Sequence, residues 1–163
     1  VIYDRFAKYG LTVHPEKTRL VQFTRPPRDA DSPKPHSGTF DLLGFTHHWG
    51  RSRRGYWVVK RKTAKDRFRR AVTHIHTWCR VHRHQPVAQQ WRMLCQKLEG
   101  HYAYYGVTGN ARCLRAFQSA VRTRWRFWLT RRSEKGRMPW WRFWRLHEAY
   151  PLPPPRLAAR HRA

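Results

Sequence analysis

Short alternating stretches up to residue 62 and three long amphipathic stretches after it predict an α+β protein, with short β-hairpins followed by an α-helical bundle of three long helices. Two further observations frame that class. The 163 residues suffice for one sizeable core with a small second unit, and Ser133 to Met138 breaks the helical periodicity. The expected division is therefore 1–62 for the strands, 63–132 for the bundle, and 133–163 for a short aromatic helix with a Pro/Arg-rich tail.

Val1 to Tyr9 reads as the last turns of a helix, with Ile2, Phe6 and Tyr9 on one side and Gly10 as its stop, so the chain reads as beginning mid-domain. Leu11–His14 and Thr18–Phe23, joined by a Pro15-Glu16-Lys17 turn, alternate as a hairpin. Arg25 to Thr39, with four prolines and little that is apolar, reads as a loop. Phe40 to Trp49 then reads as one strand, which turns through Gly50 to Gly55 and returns as Tyr56 to Arg61.

Thr63-x-x-Asp66 has the form of a capping box, and Phe68, Val72, Ile75 and Cys79 mark the apolar face of the helix behind it. Val87, Trp91, Leu94 and Leu98 carry a second apolar stripe into Gly100–Gly106, a glycine- and tyrosine-rich stretch joining two long helices. His101 and Tyr105 continue that stripe, and Tyr104 points away from it. Tyr102 and Tyr105 are open to either a core or a contact role. Gly106 is placed as the residue ending this helix and Asn110 as the N-cap of the next. Leu114, Phe117, Val121, Trp125 and Trp128 define the third helix, to about Arg131. Pro139 suits the first position of a short helix, Trp140 to His147.

Thirty-five Lys and Arg against nine Asp and Glu leave a formal charge of +26, which repels the compact state unless a polyanion lies against it. Nine Trp, seven Tyr and eight Phe interleave with those cations, a pairing suited to phosphates and bases. The cations are patterned. Lys65, Arg69, His76, Arg80 and Arg83 fall on one stripe of the first long helix, and Arg112, Arg115, Arg122 and Arg126 on one stripe of the third. A solvated face would pair them with acids one turn away, and only Asp66 is offered. Tyr104 adds a ring for stacking on a base or sugar, so its loss is expected to weaken RNA binding at nearly unchanged stability.

Other classes fit poorly. Cys79, Cys95 and Cys113 lack disulfide or paired zinc spacing and read as reduced, buried thiols; Cys79, His82 and His84 sit in a basic run hostile to a cation. No apolar run approaches the ~20 residues of a membrane span and no signal peptide opens the chain, so a cytoplasmic location is expected. A membrane-active reading of the Arg/Trp alternation between Arg122 and Trp144 is interrupted at Ser133–Gly136.

Four ordered stretches, GLTVHPEKTRLVQF, FDLLGFTHHWG, LEGHYAYYGVTGN and YPLPPPR, together resemble the C-terminal part of bacterial group II intron reverse transcriptases, the intron-encoded maturases. The resemblance spans nearly the whole chain. It implies that residues 1–62 are a C-terminal remnant of the polymerase palm, with Phe40–Phe45 like the primer grip, and that the helices are the thumb or maturase domain. The implied partner is intron RNA, with an RNA–DNA duplex as a further one. It also implies primer or triphosphate contacts at Gly44, Phe45 and Lys17, although a turn lysine is otherwise simply solvated. The family's Tyr-x-Asp-Asp sequence would lie before Gly10, where this chain has only Asp4. The intact polymerase uses Mg2+, which needs clustered carboxylates, whereas the acids here are scattered. The chain alone is therefore expected to bind RNA without polymerising, with no cofactor of its own and no catalytic residue.

Overall fold

A computed structural model describes residues 2–14, 21–29, 38–133 and 136–157. The fold is α+β: a three-stranded antiparallel sheet of order β1-β2-β3 followed by helices. The elements are α1 (Ile2–Ala7), β1 (Phe40–Leu42), β2 (Phe45–Arg51), β3 (Trp57–Thr63), α2 (Lys65–Val81), α3 (Val87–Tyr105), α4 (Ala111–Thr130) and α5 (Trp140–Ala149). Two compact units divide them, residues 1–40 with 48–59 and residues 41–47 with 60–163.

In the first unit, α1 ends where Gly10 takes φ +68°, a conformation that favours glycine. Leu11–His14 and Val21–Phe23 are not strands, so the hairpin expected there is absent from its described parts; its turn lies outside the described residues. Phe23 instead stacks on Trp49, ring centroids 5.1 Å apart, and meets Phe40 edge-on at 5.0 Å.

The single strand expected from Phe40 to Trp49 is a hairpin. Leu43 and Gly44 take φ 50° and 77°, the two positive values of a two-residue turn whose twist matches the flanking strands. Gly44 is required there twice over: besides its φ, a Cβ would stand 3.0 Å from the Tyr105 hydroxyl. The β2–β3 turn closes through Gly55 N–H to Ser52 O (3.1 Å) and Ser52 N–H to Tyr56 O (2.8 Å).

The second unit holds the main core. Ile75 and Cys79 of α2, Leu94, Leu98 and Tyr102 of α3, Leu114, Phe117, Val121, Trp125 and Leu129 of α4, and Phe143 of α5 are buried together. These are the expected stripes, with Tyr102 resolved as core. Phe68 meets Phe117, and His76 meets Phe127 and Trp128, so α2 and α4 run parallel. Burial pushes the Cys79 thiol up to about 12; Cys95 and Cys113 are half-buried, and all three are free.

Thr63 is the last residue of β3, not a cap; Ala64 precedes α2, with no side-chain cap bond. Asn110 holds the N-cap position of α4, as expected, and its carbonyl accepts from Leu114 N–H, but tertiary partners claim its side chain. Its Oδ1 accepts from Thr63 N–H at 2.9 Å, and its Nδ2 donates to Thr63 Oγ1 and Tyr105 O, both at 2.8 Å. Gly106 ends α3, as expected, but with φ −73°, and the left-handed residue of this connection is Gly109, φ 96°. Pro139 precedes α5 in extended conformation rather than opening it.

His101 lies flat on Phe117 at 3.8 Å, and burial holds its pKa down to about 4. The unfolded chain protonates this ring near 6.5, so the stability it supplies is complete above that pH and is lost as pH falls from about 6.5 towards about 4. Urea melts across this window are expected to show that decline, and His101→Phe to flatten it. An unaltered slope in the variant would count against a buried neutral ring.

Candidate nucleic-acid interface

Helix periodicity puts the cations on the surface, and tertiary packing decides which remain free. On α2, Lys65, Arg69 and Arg80 are exposed. Arg83, just past the helix, is half-buried, with its Nη1 donating to Arg80 O at 3.0 Å. His76 departs from the expected stripe: Trp128 Nε1 donates to its Nδ1 at 3.3 Å. Desolvation, with Arg124 and Arg80 nearby, lowers its pKa and keeps the ring uncharged at neutral pH.

That cluster defines the surface α2 shares with α4. Arg80 of α2 and Arg124 of α4 both approach His76, whose ring tilts against Phe127 at 5.9 Å. One helical turn on, the Arg131 guanidinium covers the Phe127 ring at 3.6 Å. Arg124 and Arg131 were not among the expected contacts, because they lie on the flank of α4 opposite the Arg115–Arg126 stripe. The parallel pairing of α2 and α4 brings that flank to Arg80. Phe127, off the apolar stripe and followed by Arg131 at i+4, was the available signal.

The stripe expected on α4 is split. Arg112 and Arg115 are exposed, whereas Arg122 and Arg126 are half-buried against α5. The Arg122 guanidinium lies 5.3 Å from the Trp144 ring centroid and that of Arg126 4.1 Å from Trp140. Arg126 Nη1 also donates to Met138 O at 2.6 Å. Such contacts leave the charges in place while fixing where they point. Arg126 is thus a docking residue for α5 as well as a cation. On the other side of α2, Arg67, Arg70 and His74 line a concavity of about 530 Å³ beside Tyr105.

Tyr104 is more than half exposed, as expected of a contact residue, yet it is not independent of the fold. Its hydroxyl donates to Leu43 O at 2.9 Å, and its ring stacks on Phe45 at 5.9 Å. Phe45 is buried beneath Tyr104 and Tyr105, so it is a core side chain rather than an open contact, and Gly44 serves the turn. Lys17 lies outside the described residues. The expectation of unchanged stability for Tyr104→Ala is accordingly revised. Tyr104→Phe should cost about 0.5–1.5 kcal/mol through the lost hydrogen bond, and Tyr104→Ala a further ~1 kcal/mol through the lost stacking. Urea midpoints of the two variants check this, and equal midpoints with the parent would dissolve the link to Leu43.

No protein family, curated protein or solved structure matches this chain. Among the described residues, no three His, Cys, Asp or Glu side chains stand close enough together to hold a metal ion. No described helix is long and apolar enough to cross a membrane. What the helical surface can do chemically is bind anions. On α2 and α4 the only ion pair among the described residues is Arg67 Nε with Asp66, at 3.5 Å.

Proposed function

We propose that this chain binds structured RNA through α2 and α4, and that it does so as the maturase part of a group II intron reverse transcriptase, helping intron RNA to fold for splicing. The observation that carries the binding is the set of exposed Lys65, Arg69, Arg80, Arg112 and Arg115 side chains, none of which forms an ion pair among the described residues. Phosphates are the complement of such a surface, and the partly exposed Tyr104 and Phe127 rings suit sugars and bases. The intron assignment rests on the four sequence stretches, in their order along the chain. Reverse transcription is a property of the intact polymerase and requires carboxylates upstream of this sequence.

Each phosphate neutralised releases condensed counterions, so affinity should fall with salt by a slope of roughly −0.7 to −0.9 per contact. Changing Arg69, Arg80 and Arg115 to Gln is expected to flatten that slope by about two to three units and to weaken all RNAs alike. Filter binding of a group II intron fragment, against an unrelated structured RNA of equal length, reads both parts of the proposal. Parallel salt plots for variant and parent would refute the phosphate grip. Equal affinity for the two RNAs at every salt concentration would leave a generic nucleic-acid module in place of a maturase.

A further inference from the structure

The first unit carries a second basic feature, remote in sequence from the helical stripes. Trp57, which opens β3, is buried, and its Nε1 donates to Pro27 O at 2.9 Å. That bond ties the 25–29 segment to the strand. Within this segment, Pro26 and Pro27 restrict the backbone between Arg25 and Arg28. Opposite stands the β2–β3 turn, held by Ser52 and by Gly55 at φ 79°, with Arg54 at its tip. Arg51 is held in place from both sides, 4.4 Å over the Trp57 ring and with its Nη1 donating to Gly55 O at 2.6 Å.

Between segment and turn lies a concavity of about 590 Å³, lined by Arg25, Arg28, Arg51 and Arg54, with Asp29 the one acid on its wall. Arg25, Arg28 and Arg54 are exposed and make no ion pair or side-chain hydrogen bond with the described residues. A solvated turn would spread such charges. Here a buried tryptophan, a proline pair and a closed turn gather four guanidinium groups around one hollow, where their mutual repulsion is relieved by an anion. Guanidinium forks match phosphate oxygens in pairs. One phosphate would not fill this volume.

We propose that this hollow binds consecutive phosphate groups, supplied either by a free polyphosphate or by successive linkages of a nucleic-acid strand. The site shares no residue with the α2 and α4 surface and does not depend on the RNA reading of those helices. Its reporter is the Trp57 indole N–H, which bonds the segment that carries Arg25 and Arg28.

The test follows that resonance by NMR in the full chain, assigned by through-bond correlation, during titration with inorganic tripolyphosphate and separately with a short oligouridylate. Tripolyphosphate is expected to shift it saturably. Arg25→Gln/Arg54→Gln should weaken the midpoint at least about tenfold, with Arg54→Gln alone giving a smaller loss in the same direction. Arg92→Gln, at an exposed position of α3, should leave it unchanged. Unmoved neighbouring indole resonances in the variants establish that the fold persists. An oligouridylate shift with the same dependence on Arg25 and Arg54 identifies a strand as the source; a response to tripolyphosphate alone identifies a free polyphosphate. A Trp57 resonance that neither probe moves overturns the proposal, as do midpoints equal in the double variant and the parent. Neither result bears on the salt slope of intron RNA binding at Arg69, Arg80 and Arg115.

Discussion

Replacing Trp125 with alanine is expected to destabilise the second unit by at least about 4 kcal/mol. The side chain, in the C-terminal half of α4, is fully buried and meets Phe143 of α5 edge-on at 5.7 Å. Its loss leaves a large cavity, and it also strips a buried polar group of its partner. Trp125 Nε1 donates to Gln90 Oε1 at 2.9 Å, while Gln90 Nε2 donates to Arg83 O at 3.1 Å and Gln85 O at 2.9 Å. Arg132, past the end of α4, donates to the same two carbonyls. One amide thus fastens the α2–α3 connection to α4. Trp125→Phe, which keeps a ring but no N–H, should cost less and isolate the polar share, about 1–3 kcal/mol. Urea unfolding of both variants separates the shares; a loss below about 2 kcal/mol for the alanine variant would mean the site collapses around the gap.

A second large effect is expected at Asn110, whose side chain is fully buried between the end of β3 and the end of α3. Alanine there strands the buried Thr63 N–H, at about 1–3 kcal/mol, and removes the bonds to Thr63 Oγ1 and to Tyr105 O, the latter keeping Val107 N–H as a donor at 2.8 Å. Asn110→Asp keeps the acceptor for Thr63 N–H, yet turns an oxygen towards Tyr105 O and buries a charge, so it should be no milder. Amide hydrogen exchange at Thr63 reads the bond directly. Protection equal to the parent's in Asn110→Ala would show that another group, or water, takes over.

Both sites show how far the sequence could be read. Apolar spacing located α2, α3 and α4 within a few residues, because their buried faces recur at the helical period and Pro86, Gly106 and Pro139 bracket them. Tertiary choices were not visible. Thr63 and Asp66 match a capping box, but β3 runs through Thr63, and its donor partner lies 47 residues away at Asn110. Leu43-Gly44 lacks the Asn-Gly or Asp-Gly signature of a two-residue turn, so a hairpin was read as one strand. At the candidate interface, periodicity found the exposed Arg69, Arg80 and Arg115. It could not show that α5 would cover Arg122 and Arg126, or that parallel packing would bring Arg124 to Arg80.

The segment after α5 accepts three side-chain hydrogen bonds: Trp91 Nε1 to Pro151 O at 2.8 Å, and Tyr102 Oη and Gln118 Nε2 to Pro153 O at 3.2 and 2.9 Å. Proline carbonyls suit this task because their residues bring no N–H that would itself need a partner. Ordering an ordinary residue costs about 1–2 kcal/mol of backbone entropy, and Pro151, Pro153, Pro154 and Pro155 arrive with φ already fixed. Little chain freedom is therefore lost when the segment lies down across α3 and α4, so less of the modest net gain of its three bonds, about 0.5–1.5 kcal/mol each, is cancelled by ordering. A flexible strand making the same contacts would surrender more of that gain in disorder forgone, so the stiffness of the unbound segment adds to the stability of the bundle.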